Sequence, residues 1–278
     1  MELSIQNRIY NIYDDLGDQS KKIADFILKA PEVFSSLTLE QLAEKSGVST
    51  ATISRFAKQL GYSRFSQLKW SILNETNNKD VKPIKVNDSA MVVAKKTLDA
   101  NIETLNRTFE LMSEDQLQKA LQLIVHAQNL DFFGLGGSNI VALDAYHKFL
   151  RVPIKVMHDN EYHLALMQAS KLTNKDCAVV ISHTGNDQDT LLIAETLKRR
   201  KVPMIVITSF PDSPLANYGE ICFFSISEDS EYRTEALLSL TSQLAINDCL
   251  YMLAAQHFGS QAENILKDIR QTIIKKHQ

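Results

Sequence analysis

Short apolar runs alternate with helical segments over the second half of the chain, and this alternation limits the possible folds most strongly. The runs cover residues 130–137, 154–159, 176–182, 203–209 and 220–227. They are apolar at nearly every position, which is typical of strands buried on both faces. Strands joined through helices run parallel, because the chain must cross back over the sheet. The sequence therefore predicts an α/β domain with a five-stranded, parallel, doubly wound sheet.

The first part of the chain has a different pattern. Residues 3–74 show helical periodicity with polar breaks, and the polar segment around Pro83 contains no aromatic residue. Segments of this composition do not build a core and act as linkers. We therefore predict an all-α domain over 1–76, a linker over 77–89, and the α/β domain over 90–278. Further helices are predicted in that last domain over 90–112, 113–128, 231–257 and 261–276.

Composition excludes some classes of protein. No apolar run approaches the roughly 18 residues of a membrane span, and the N-terminus lacks the pattern of a signal peptide. We therefore expect a cytoplasmic protein with no membrane partner. The three cysteines lie far apart in sequence, which favours buried free thiols over a disulfide or a metal site.

Charge is distributed unevenly along the N-terminal domain, although the formal net charge of the whole chain is only -3. Residues 1–44 carry four basic and eight acidic side chains, whereas residues 45–74 carry five basic side chains and no acidic one. A basic segment in an acidic protein indicates a polyanionic partner. A solvated helix face would give the same charge pattern.

The segment 37–69 has the pattern of a helix-turn-helix motif. Thr38 is placed to cap a first helix, Gly47 to end it in the left-handed conformation, and Ser49 to cap a second helix. On that second helix, an apolar side of Ile53, Phe56, Ala57 and Leu60 is expected to pack inward. We predict that the opposite side reads DNA in the major groove. The predicted DNA-binding residues are Ser49, Thr50, Thr52, Ser54, Arg55, Lys58, Arg64 and Lys69. A purely structural helical hairpin is the alternative.

Two loops at predicted strand ends carry small and hydroxyl-bearing residues. The first strand ends in GLGGSN, residues 134–139, and the third in SHTGND, residues 182–187. Ligands of open parallel sheets bind beyond the carboxyl ends of the strands. Asn139 replaces the third glycine of a dinucleotide fingerprint, so we expect a compact phosphate and no cofactor. Ordinary capped turns would give the same residues.

These motifs together resemble the RpiR-type transcriptional regulators, which join a helix-turn-helix to a sugar isomerase (SIS) domain that senses phosphosugars. The loops of that family typically read Gly-x-Gly-x-Ser and Ser-x-Ser-Gly-x-Thr, with Asp187 standing here in place of the last threonine. The resemblance implies a homodimer or homotetramer, a sugar phosphate effector and a DNA operator. The ligand-binding residues predicted on this basis are Gly136, Gly137, Ser138, Ser182, His183, Thr184, Gly185, Asp187 and Glu235.

Three functional hypotheses remain open from the sequence. A regulator needs only to bind its effector, and we expect its operator to be an inverted repeat of double-stranded DNA. An aldose–ketose isomerase, the second hypothesis, would need a base, for which Glu235 is the candidate. A scaffold protein, the third, would bind another protein through its helical domain. For the regulator, Asp187 leaves two kinds of ligand open, a sugar phosphate and an unphosphorylated or amino sugar. We predict a regulator without catalytic residues.

Overall fold

A computed structural model describes residues 4–76, 84–226 and 235–274. The chain divides into two compact units, Met1–Ser113 and Glu114–Gln278. In the ranges that the structure describes, no helix combines the length and hydropathy needed to cross a bilayer.

The N-terminal unit is built from helices. They are α1 (Ile5–Ile12), α2 (Asp18–Lys29), α3 (Pro31–Ser36), α4 (Leu39–Ser46), α5 (Thr50–Gln59), α6 (Phe65–Thr76) and α7 (Ala90–Glu110). One apolar cluster joins α1 to α6, with Ile23, Phe34, Leu42 and Phe56 at 1 % exposure or less. The phenyl ring of Phe34 contacts those of both Phe26 and Phe65 edge-on. The all-α character predicted for this part of the chain is confirmed.

Local signals in the sequence set the geometry of the turn between α4 and α5. Thr38 and Gln41 form a reciprocal capping box at the start of α4, in which each side chain accepts a hydrogen bond from the backbone of the other. Gly47 ends α4 with φ of 65°, a left-handed conformation that glycine adopts without steric cost. Ser49 then caps α5, where its Oγ accepts from the Thr52 N–H at 3.1 Å. These caps fix where α5 begins.

Helix α7 belongs to the N-terminal unit, although we predicted that the α/β domain begins at residue 90. Two cationic side chains connect it to the preceding helices. Arg107, 1 % exposed, donates from Nη2 to the Leu73 carbonyl oxygen at 2.9 Å, and the Lys69 ammonium donates to the Glu110 carbonyl oxygen. Residues 77–83 of the predicted linker lie outside the described residues.

The C-terminal unit contains the predicted sheet of five parallel strands, and this prediction is confirmed. The strands are β1 (Asn129–Gly134), β2 (Lys155–His158), β3 (Cys177–Ile181), β4 (Met204–Thr208) and β5 (Ile221–Phe224). Their order across the sheet is β2-β1-β3-β4-β5. The chain reverses direction across the sheet after β2, so β1 and β3 lie side by side, with Leu130 opposite Cys177 and Gly134 opposite Ile181. This register brings the ends of both strands, and the loops that follow them, together.

Helices cover both faces of this sheet. The helices of this unit are α8 (Glu114–Val125), α9 (Gly137–Phe149), α10 (Tyr162–Lys171), α11 (Gln188–Arg199), α12 (Glu235–Phe258) and the largely exposed α13 (Ser260–Ile274). Every residue of β3 and β4 is buried, which requires cover on both sides. The Phe149 ring of α9 lies between Phe132 of β1 and Tyr251 of α12, with centroid distances of 5.3 and 5.7 Å. Aromatic packing therefore holds α9 and α12 over β1.

Candidate functional sites

The exposed face of α5 is the candidate DNA-binding surface. Arg55 and Lys58 are exposed, and Ser54, which precedes Arg55, is partly exposed. On the other side of the helix, Ile53 and Phe56 are fully buried, as the periodicity of the sequence predicted. A helix with this division presents charged and hydroxyl-bearing groups to a partner while its apolar side anchors it.

The start of α5 carries three hydroxyl groups. The Ser49 and Thr52 hydroxyl oxygens lie 2.9 Å apart, and Ser49 also holds the cap described above. Thr50, the first residue of the helix, is exposed, and so is Arg64 just before α6. Phosphates bind at helix N-termini of this kind because unpaired N–H groups point outward there. Thr50 and Arg64 are therefore placed at the surface, as a backbone contact requires.

Lys69 does not lie on this surface, and the prediction that it contacts DNA is wrong for this conformation. The residue is 4 % exposed, and its ammonium donates to the carbonyl oxygens of Leu37, at 3.0 Å, and Glu110. Burial lowers the pKa of Lys69 to about 8, against a smaller opposing effect of the Glu110 carboxylate. The ammonium group of Lys69 therefore bonds carbonyl groups at the ends of α3 and α7 and is not available to a partner at the surface.

The loops after β1 and β3 open onto a common pocket in the C-terminal unit, with a volume of about 450 Å³. Seven of the nine residues predicted to bind a ligand line it: Gly136, Gly137, Ser138, Ser182, His183, Thr184 and Asp187. Gly185 lies buried behind the loop. Glu235 is the first residue of α12, and its side chain lies outside the described residues. We call this cavity the strand-end pocket.

The β1 loop brings main chain close to the pocket. Gly136 has φ of 56° and precedes α9, whose first turn has no side-chain cap. A Cβ on Gly134 would lie 2.4 Å from the Ser138 carbonyl oxygen, so this position accepts only glycine without a backbone shift. Ser138 lies in the first turn of α9, where its hydroxyl borders the pocket. The loop therefore exposes a helix N-terminus to a ligand.

The β3 loop is held by its own side chains. Asp187 caps α11, its Oδ1 accepting from the Thr190 N–H at 2.8 Å. Its Oδ2 accepts from the Ser182 hydroxyl at 3.0 Å, and that hydroxyl oxygen accepts from the Gly185 N–H at 3.1 Å. Asp187 nevertheless remains exposed to the pocket. One carboxylate therefore both caps α11 and faces the pocket.

A chain of hydrogen bonds extends from the pocket into the sheet. His183 Nδ1 lies 2.9 Å from Ser209 Oγ, and Ser209 Oγ lies 2.7 Å from Ser225 Oγ. Gln243 of α12 donates from Nε2 to the same Ser225 oxygen at 3.3 Å. The ring of His183 also packs edge-on against Phe210. These contacts fix the orientation of the imidazole at the pocket wall.

Several residues of the pocket were not predicted from the sequence. They are Leu135, Ile140, Asp189, Ser239, Leu240 and Gln243. Ser239 and Gln243 are spaced by four residues on α12, so helical periodicity places them on one face. That signal shows that the two share a face but not that the face reaches the pocket. Among the described lining residues the carboxylates are Asp187 and Asp189, and none is a lysine or an arginine.

Comparison with solved structures places this fold among known ones. The Vibrio vulnificus NanR protein complexed with ManNAc-6P is 19% identical, covers 97% of this chain and 98% of its own, and superposes with a TM-score of 0.61. The sugar isomerase domain of an RpiR transcription factor from Sphaerobacter thermophilus has a TM-score of 0.60 at 19% identity, over 64% of this chain and 98% of its own. At these identities the likeness establishes the fold.

Comparison of sequences establishes the family. The family models match a helix-turn-helix domain of the rpiR family over residues 3–79 and an SIS domain over residues 123–253. An uncharacterised HTH-type transcriptional regulator of Thermotoga maritima is 29% identical, over 95% of this chain and 96% of its own. Another, of Caldanaerobacter subterraneus, is 32% identical over 84% of both chains. The chain therefore belongs to the RpiR family of helix-turn-helix transcriptional regulators that carry an SIS domain.

Proposed function

We propose that this regulator reads double-stranded operator DNA through the exposed face of α5, and that a sugar-class ligand in the strand-end pocket controls that binding. The observation that carries the proposal is the division of α5 into a fully buried apolar side and an exposed side with Arg55 and Lys58. Because the helix is capped at Ser49 and anchored by Phe56, these side chains project from a rigid element. Sequence-specific DNA readout needs such an element.

Arg55 has the central role in this proposal. A guanidinium group can donate two hydrogen bonds to O6 and N7 of guanine in the major groove, which specifies a base. Lys58 and Arg64 are suited to phosphate contacts, which position the protein on the duplex. Because such contacts are electrostatic, the affinity for DNA should fall as the salt concentration rises. The acid-free segment 45–74 favours approach of the duplex, since carboxylates there would repel it.

We further propose that the operator is an inverted repeat bound by a homodimer or homotetramer acting in the cytoplasm. One helix contacts only a few base pairs, so useful specificity requires two helices. A two-fold axis relating the two N-terminal units places half-sites about 10 base pairs apart, or a multiple of that distance.

The strand-end pocket supports binding of a sugar. Hydroxyl groups of Ser138, Ser182 and Thr184 border it, and Gln243 adds an amide. The solved NanR protein is complexed with ManNAc-6P, so a sugar phosphate and an unphosphorylated or amino sugar are the two ligand classes to compare. The isomerase alternative would require Glu235 as its base, and no observation on the described residues favours it.

The proposed function is tested with Arg55→Ala in the full chain. Operator DNA is first selected from random duplexes and mapped by footprinting, which also shows whether the site contains two half-sites. We expect Arg55→Ala to weaken specific binding by about 1–3 kcal/mol and to relax discrimination at one base position. Lys45→Ala is the matched control, because Lys45 is an exposed cation of the same segment on α4.

The control should leave discrimination between bases unchanged, since Lys45 lies on α4 and outside the proposed recognition helix. Operator affinity that is unchanged in Arg55→Ala would show that α5 is not the recognition helix. A footprint with a single undivided half-site would contradict the dimeric arrangement. Release or tightening of operator DNA is then measured with sugars and sugar phosphates added to the full chain.

A further inference from the structure

We infer that Asp187 occupies the place of an anion in the β3 loop and makes the strand-end pocket select sugars that carry no phosphate group. The inference rests on the proposed function, because it assumes that this pocket binds a sugar. It goes further by choosing between the two kinds of ligand. Three observations support it, namely the hydrogen bonds of the loop, the charge of the pocket wall, and the remaining acceptor capacity of Asp187.

The first observation concerns the donors of the loop. A phosphate at the end of β3 would need the N–H and O–H groups that surround the start of α11. The Asp187 carboxylate already accepts from Thr190 N–H and from the Ser182 hydroxyl. The Gly185 N–H donates to Ser182 Oγ, and the Asn186 N–H donates to Thr184 Oγ1 at 3.4 Å. These four donors of the loop therefore have partners within the chain.

The second observation concerns charge. Asp187 and Asp189 both line the pocket and both are exposed to it. None of the lining residues that the structure describes is a lysine or an arginine, and His183 Nδ1 already contacts Ser209. A phosphate dianion beside two carboxylates would be repelled, and repulsion between charges a few ångströms apart is large even at a protein surface. The part of the wall that the structure describes therefore favours a neutral or cationic ligand.

The third observation is that Asp187 can still accept hydrogen bonds. Each of its oxygens holds one hydrogen bond within the chain, and a carboxylate oxygen has two lone pairs. A hydroxyl or ammonium group of a ligand can therefore donate to it without breaking the cap of α11. Unphosphorylated hexoses and hexosamines carry such donors. The shared chemistry of the ligand is a polyhydroxyl ring with a donor directed at Asp187.

The first experiment uses inorganic phosphate as the probe, so that it does not depend on knowing the sugar. Its binding to the full-length chain is measured by calorimetry for the wild type, Asp187→Thr and Asp189→Asn. Threonine can still cap α11, while its introduction removes the charge and frees the Ser182 hydroxyl to donate. We expect the wild type to bind phosphate more than about tenfold more weakly than Asp187→Thr.

Asp189→Asn is the matched comparison, because it removes one charge from the same wall but leaves Asp187 in the loop. Its gain in phosphate affinity should stay below about threefold. An equal gain in both variants would overturn the inference, since charge alone would then explain the effect. Phosphate binding by the wild type at the affinity of Asp187→Thr would overturn it as well, and would place the anion at the start of α9. Asp187→Ser repeats the test should the threonine variant fold poorly.

The second experiment compares sugars and keeps this inference separate from the proposed function. Glucose, glucosamine and their phosphate monoesters, followed by further hexose sets, are tested for binding to the full chain and for a change in operator affinity. We expect the wild type to bind an unphosphorylated member of a set in preference to its phosphate, and Asp187→Thr to reverse that order. If the sugars bind in the expected order of affinity but do not change operator affinity, the ligand choice is supported. The proposal that the ligand controls DNA binding is then contradicted. A wild type that prefers the phosphate would overturn the ligand choice alone.

Discussion

Asp131 makes the stability of the C-terminal unit depend on pH. The residue lies on β1 with 0% exposure, and neither of its carboxylate oxygens has a hydrogen-bond partner among the residues described. Burial raises the pKa of Asp131 from 3.8 to about 7, the nearby Phe132 N–H lowers it in part, and repulsion from Asp159 and Asp176 raises it further. In the folded unit this side chain is therefore a neutral acid over much of the pH range in which it is ionised when unfolded.

The sign and size of the effect follow from this shift. Because the folded state holds the proton more tightly, the contribution of Asp131 to stability is fully present below about pH 4 and is lost as the pH rises through about 7. The shift of about three pKa units corresponds to about 4 kcal/mol, since one unit is worth about 1.4 kcal/mol. Asp131→Asn cannot ionise, so we expect it to abolish this part of the pH dependence.

Urea unfolding between about pH 5 and pH 8 measures the effect. Far-UV circular dichroism follows both units, whereas the fluorescence of Trp70, the single tryptophan, follows the N-terminal unit. We expect the free energy of unfolding of the C-terminal unit to fall with pH in the wild type and to stay level in Asp131→Asn. The Trp70 transition should not differ between the two proteins.

Asp176→Asn is the control with the opposite sign. Burial raises the pKa of Asp176, but hydrogen bonds from Asn129 Nδ2 and from the N–H and Oγ1 of Thr173 outweigh it and lower the pKa overall. Asp176 therefore contributes stability that is present above its unfolded pKa and lost as the pH falls through its lower, folded value. We expect its replacement to destabilise the unit at neutral pH. An identical pH slope in the wild type and Asp131→Asn would refute the assignment of a raised pKa to Asp131.

Two further substitutions test the interior of each unit. Lys69→Ala leaves two partly buried carbonyl oxygens without this donor and should destabilise the N-terminal unit by about 1–3 kcal/mol, measured as a lower urea midpoint of Trp70 fluorescence. The affinity of the folded Lys69→Ala variant for operator DNA should not change, whereas it would fall if Lys69 contacted DNA. Gly185→Ala places a Cβ 2.4 Å from Ser213 Oγ at φ of 60° and should lower the melting temperature more than Gly136→Ala, which meets only backbone strain of about 1–2 kcal/mol. Equal melting temperatures of the two variants would show that the β3 loop shifts to accommodate the added methyl group.

The sequence by itself determined the elements and their faces. The apolar runs gave the five strands in their chain order, because residues buried on both faces of a sheet must be apolar at every position. The caps at Thr38 and Ser49 and the glycine at position 47 gave the turn between α4 and α5. These signals depend on residues a few positions apart, so they can be recognised in one stretch of chain. The predicted strands extend beyond the observed ones by one to three residues at some ends.

Only the tertiary structure decided which polar groups meet across long distances in sequence. Lys69 reads as an exposed cation, but the carbonyl oxygens of Leu37 and Glu110 lie 32 and 41 residues away and receive its ammonium. Gln243 joins the strand-end pocket because α12 packs against α9, where Asn247 Nδ2 donates to the Val141 carbonyl oxygen at 2.9 Å. Asp131 appears in the sequence as an ordinary polar interruption of a strand. Periodicity specifies which side of a helix or strand is buried, but the partner of a buried polar group depends on which elements pack together, and that is decided by the free energy of the whole core.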